Sequence, residues 1–190
     1  MLPKNVETPR GLYLQTIVDN ASAAKLAGWP MLKNADYVLV GGLVVLYSYI
    51  DLNLRRIIEV FHHAGLLMEP WGSKIDKLNA REVADAIQSL SCWHDEDRKA
   101  LKHIEEMRGL RNMVAHFAIR RFPSDDGFIF IAKSARDYKR QIGSDPEPGA
   151  VLTVIADCEQ IRDVLKRVEH VQNWLALATP NLEKQLSPRR

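Results

Sequence analysis

Arg111-Asn112-Met113-Val114-Ala115-His116 sets an arginine and a histidine on one segment with four residues between them, and an amide side chain directly after the arginine. A guanidinium presents a planar fork of donors that matches phosphate oxygens. An imidazole titrates near neutrality and can carry a proton. Together the two groups are a minimal kit for cleaving an RNA phosphodiester without a metal.

The surrounding residues place this segment on a helix. His103, Met107, Leu110, Val114 and Phe117 recur at intervals of four and three, which predicts one apolar face packed on a core. At about 100° per residue, Arg111 lies at the edge of that face, and His116 lies roughly opposite it. Asn112 precedes His116 by one turn and shares its side of the helix. Arg111 and His116 diverge by roughly 140°, so one protomer does not aim both at one point. Two copies packed about a two-fold axis could line one cleft with both. The same residues also have a plain reading, in which the arginine snorkels from the edge of an apolar face and the histidine is solvated.

The bulk composition narrows the classes. The chain has 190 residues, 46% hydrophobic and 26% charged, with a formal net charge of +2. That is enough apolar material for one globular domain over residues 1–190, with a core at about 34–178. Two cysteines, Cys92 and Cys158, stand far apart with no CxxC pair, which argues against a disulfide scaffold or zinc site and fits a reducing cytoplasm. The first residues lack the layout of a signal peptide. The apolar run Tyr37 to Ile50 is 14 residues long, short of the roughly 20 that a bilayer needs, so it reads as a core element of a soluble protein.

Thr8-Pro9 predicts the start of a first helix running to about Lys25, broken by Gly28-Trp29-Pro30. Asn34 is placed to cap a long helix reaching Ala64, with Gly65 as its stop. Gly41-Gly42 leaves a hairpin over Tyr37–Tyr47 as the competing form, but the apolar spacing after Leu43 favours helix, with the glycines serving close helix packing. Pro70 to Ser73 reads as a loop. Asn79 and Glu82 predict a capping box for a short helix to about Leu90, and Asp95-Glu96-Asp97 suits the N-terminus of the motif helix. Ala118–Phe122 and Phe128–Ala132 form a hairpin pattern with Asp126-Gly127 in the turn, followed by a loop over Gly143–Gly149. Asp157 and Gln160 predict a cap for a last helix from Cys158 to Ala178, after which Pro180 opens a flexible tail to 190. The fold class expected is all-α, a bundle of four to five helices with a small hairpin before the last one.

Other features carry less. From Arg98 to Arg140 there are eleven Lys or Arg against five Asp or Glu, a net of +6, but starting the window at Asp95 halves the excess to +3. Arg108, Arg120 and Arg121 are the candidates for contacts to an RNA backbone, with Lys133, Arg136, Lys139 and Arg140 extending the path. Phe128 and Phe130 could stack a base, or simply pack on the body of the protein. His62-His63 diverge by about 100° on a helix and do not share a metal. No phosphate-binding glycine loop, nucleophile elbow or zinc-protease pair occurs, so no metal and no cofactor are expected.

The stretch Arg111-Asn112-Met113-Val114-Ala115-His116 resembles the R-x4-6-H motif of the HEPN superfamily, including the polar residue that often follows the arginine. Val40 to Arg55, with Asp51, resembles the long helix that commonly precedes the motif in such domains. The resemblance covers most of residues 35 to 178. It implies a four-helix core, a homodimer with the motif in its cleft, and metal-independent endoribonuclease activity of the toxin, antiphage or RNA-processing kind. Carried onto this chain, Arg111 would hold the scissile phosphate, His116 would act as general base or acid, and Asn112 would orient one of them. It also leaves room for a non-catalytic module that binds RNA, a nucleotide or a protein, and for an antitoxin or other regulatory partner.

Overall fold

The structure is a computed structural model that describes residues 8–132, 135, 136, 139, 145–148 and 150–186. It is mostly helical, with a small three-stranded antiparallel sheet. Helix α1 spans Pro9–Asp19, α2 Ala23–Ala27, α3 Asn34–His63, α4 Ala80–Ser89, α5 Asp95–His116 and α6 Cys158–Leu186. Strands β1 (Ala118–Arg121), β2 (Gly127–Ala132) and β3 (Leu152–Asp157) lie between α5 and α6. The chain divides into two compact units. The first holds the described chain up to Val44 together with Gly109–Leu165; the second holds Val45–Arg108 and the chain from Lys166 onward.

In the first unit the sheet has β2 at its centre. The pairing Arg121↔Phe128 and Ile119↔Phe130 on one side, with Phe128↔Ala156 and Ile129↔Ile155 on the other, fixes the register. Phe128, Ile129 and Phe130 are all fully buried, so both faces of β2 are covered. One face carries Ile129 and Ile155 into a core with Leu14, Val18, Leu26, Trp29 and Phe122. Phe128 and Phe130 point to the opposite face. Their burial removes the base-stacking role the sequence left open for them.

The expected hairpin is present, and Gly127, the first residue of β2, is tightly packed. A Cβ there would meet Phe122 at 3.2 Å, the Ala156 carbonyl at 3.3 Å and Leu14 at 3.3 Å. Ionic groups hold the connection from both sides. Arg10 and the Tyr13 hydroxyl donate to Asp125 at 2.8 and 3.2 Å. Arg121 donates to Asp36 and, at 2.8 Å, to Asp126, and Arg162 lies 3.5 Å from Asp126. Strand β3 was not expected. Its signal was the β-branched run Thr153-Val154-Ile155 just past a Pro/Gly loop, which the expected cap at Asp157 overshadowed; Asp157 N–H does donate to Gln160 at 3.2 Å.

The first helix ends earlier than its composition suggests. Thr8 caps it and Pro9 opens it, as expected, but it stops at Asp19 and a separate α2 starts behind its own cap, Ser22. Asn20 turns its side chain back to the Thr16 carbonyl at 2.8 Å, the local bonding that favours helix ends in short polar residues. Helix α3 runs unbroken through Tyr37–Tyr47, which excludes the hairpin alternative. It starts one residue beyond Lys33, whose N–H donates to Asp36 at 2.7 Å, so Asn34 is the first helical residue and not the cap. Gly65 at φ 71° ends the helix, with Gly65 N–H bonded to His62 and Leu66 N–H to Phe61, a Schellman closure. Close packing requires neither glycine: a Cβ at 42 would make an ordinary contact with Leu165 at 3.5 Å, and one at 41 would meet nothing within 4 Å.

By length and composition alone α3 could cross a membrane, the run at Tyr37–Ile50 being only its first half. Leu43, Tyr47, Ile50, Leu54 and Ile57 nevertheless fill one side of it with buried side chains.

In the second unit Tyr47 donates to the Ile104 carbonyl at 2.8 Å and Trp93 to the Ile87 carbonyl at 2.8 Å, while Trp93 stacks obliquely on Trp174. The capping box at Asn79 and Glu82 is complete. The second half of the expected loop Pro70–Ser73 belongs instead to a 3-10 helix, Gly72–Lys77. Helix α6 passes Pro180 instead of ending there, with Glu183 beyond the proline paired to Arg56 at 2.6 Å. Of the expected tail, only 187–190 lie outside the described residues.

Two outcomes test this packing. Phe130→Ala should cost about 3–5 kcal/mol in a denaturant titration, since it empties a fully buried site on the central strand. Asp126 supplies a pH-dependent contribution. Desolvation pushes its carboxyl up, but hydrogen bonds from the Cys158 thiol and Arg121, with the charges of Arg162 and Arg121, outweigh that and hold it below its ordinary value. A carboxyl depressed on folding stabilises the fold above its ordinary range near pH 4, and the gain disappears as pH falls through the lowered value. The stability gap between wild type and Asp126→Asn should therefore be constant at pH 5–7 and close below about pH 4.

Candidate nucleic-acid interface

Helix α5 carries the motif, and its buried side changes along its length. Leu101 and Ile104 are buried in the first half, Leu110 and Met113 in the last turns, about half a turn further round the helix. The single stripe expected from His103 to Phe117 is thus replaced by two. His103 is displaced from the core, with a side chain 44% exposed and 3.7 Å from Glu106.

The last turns place the motif as follows. Arg111 is partly buried, while Asn112 and His116 are exposed on one side of the helix, as their spacing requires. Arg111 Nη1 donates to Asn112 Oδ1 at 3.2 Å, so the residue after the arginine fixes the arginine. The Nε of Arg111 is buried and has no hydrogen-bond partner among the described residues. No carboxylate there pairs with this guanidinium. The His116 side chain makes no hydrogen bond among the described residues. The structure therefore bonds Arg111 to Asn112 and sets His116 one turn from Asn112 on the same exposed side, without a bond to either.

The three arginines expected to contact RNA are differently placed. Arg108 is only 13% exposed and is held by Asp51 at 2.8 Å and Glu105 at 2.7 Å, above the face of Tyr47. Burial works against its charge, but hydrogen bonds with Glu105 and Asp51 outweigh it and raise the guanidinium above its ordinary value. Arg121, also 13% exposed, serves Asp36 and Asp126. Arg120 donates to the Ala27 carbonyl at 3.2 Å and to the Ile119 carbonyl at 3.3 Å. Arg108 and Arg121 are thus structural ion-pair centres and not free phosphate ligands, because a buried guanidinium recruits carboxylates from its own chain. Lys139 pairs with Asp145 at 3.0 Å, while Lys133 and Arg140 lie outside the described residues.

The role of Glu105 escaped the sequence reading, though its i,i+3 spacing to Arg108 was a usable signal. Cys158 is buried, and desolvation together with its hydrogen bond to Asp126 pushes its thiol up to about 12, so it is no nucleophile near neutral pH. No cluster of three or more ligating side chains occurs among the described residues. Comparison with known protein families, characterised proteins and solved structures returns no match for this chain.

The contrast between the two arginines of α5 can be measured. Arg108→Met should cost about 1–3 kcal/mol, since it leaves Asp51 and Glu105 facing each other with their charge uncompensated. Arg111→Met should change stability by no more than about 0.5 kcal/mol, or raise it, since it removes a buried unbonded donor. Chemical denaturation of the two variants under one set of conditions checks both.

Proposed function

We propose that the protein is a metal-independent endoribonuclease of the HEPN type, working as a homodimer whose cleft is lined by the motif helix of both copies. The observation that carries this reading is Arg111, a partly buried guanidinium with no internal carboxylate among the described residues, steadied by Asn112 on the helix that also presents an exposed His116. An anion supplied from outside would complete its charge balance, and a phosphodiester has the matching geometry.

In this reading Arg111 binds the scissile phosphate and stabilises the charge that grows on its oxygens in the transition state. His116 takes the 2'-hydroxyl proton or delivers one to the departing 5'-oxygen. The 2'-oxygen attacks phosphorus as the bond to the 5'-oxygen breaks, leaving a 2',3'-cyclic phosphate and a 5'-hydroxyl. DNA resists because it has no 2'-hydroxyl. Since Arg111 and His116 diverge on one helix, the phosphate-binding arginine and the proton-transferring histidine of one site come from different protomers, and the two His116 copies serve as base and acid. A toxin or antiphage setting, a regulatory protein partner and a cytoplasmic location belong to the same proposal, as does a four- to five-helix HEPN-like core.

The separation of His116 from Arg111 within one chain also favours a second reading, in which the same surface binds RNA, a nucleotide or a protein without cutting. Incubation of end-labelled single-stranded RNA and tRNA in EDTA separates the two. Wild type should cleave and leave cyclic-phosphate ends. His116→Ala, an exposed substitution expected to leave the melting curve unchanged, should lose about 10²–10⁴-fold in rate. Absence of cleavage by wild type, or equal cleavage by the variant, removes the nuclease reading; RNA retained without cleavage supports the binding module.

A further inference from the structure

We draw no further inference here: the strongest candidate, the exposed apolar row of Tyr37, Val38, Val45, Tyr49 and Leu52 on helix α3 beside the open Gly41, carries nothing because nothing in the structure shows what covers it.

Discussion

A guanidinium taken out of water loses several kcal/mol of hydration unless carboxylates or carbonyls replace it, and that requirement organises much of this protein. Arg121 draws Asp36 from α3 and Asp126 from the hairpin turn onto the sheet. Arg108 does the same in the second unit with Asp51 and Glu105. Arg98 turns to the Gln88 and Leu90 carbonyls and closes the end of α4. Arg121 and Arg108 tie together elements distant in sequence, and Arg108 uses its Nε and both terminal nitrogens in doing so. Arg111 departs from the pattern. It keeps a buried nitrogen unbonded and leans only on the neighbouring amide of Asn112. Among the described residues the Trp29 indole N–H is likewise buried and unbonded, but it is uncharged, so Arg111 is the cation left in that position.

The sheet matters to the motif through chain connectivity. Strand β1 begins two residues after His116, so the end of α5 continues directly into a strand paired with β2. The full burial of Phe128, Ile129 and Phe130 anchors that strand pair on both faces. His116 therefore stands on the last turn of a helix fixed at its exit, a rigid mount of the kind that positions a reacting side chain better than a free loop does.

Much of the local structure was legible because it rests on short-range chemistry. The capping box at Asn79, the proline start of α1 and the left-handed stop at Gly65 each need only a few adjacent residues. What escaped depends on contacts far apart in the chain. Strand β3 forms only because β2 offers it an edge 25 residues upstream, as in Ala132↔Leu152 through Gly127↔Asp157. The change of buried side along α5 cannot be read from periodicity, which assumes one partner surface for the whole helix. In the candidate site, the spacing rightly put Asn112 and His116 on one exposed side. It could not show that Asp51 pairs with Arg108, since charge pairing across 57 residues has no local pattern.

In the proposed nuclease Arg111 binds the RNA phosphate. The most direct test of this contact is fluorescence anisotropy with a labelled, fully 2'-O-methylated oligoribonucleotide, which cannot be cleaved, titrated with wild type and with Arg111→Ala. The account predicts a loss of at least about tenfold in affinity for the variant, equivalent to roughly 1.4 kcal/mol, together with a shallower salt dependence. Equal affinity and equal salt dependence for the two proteins would contradict it.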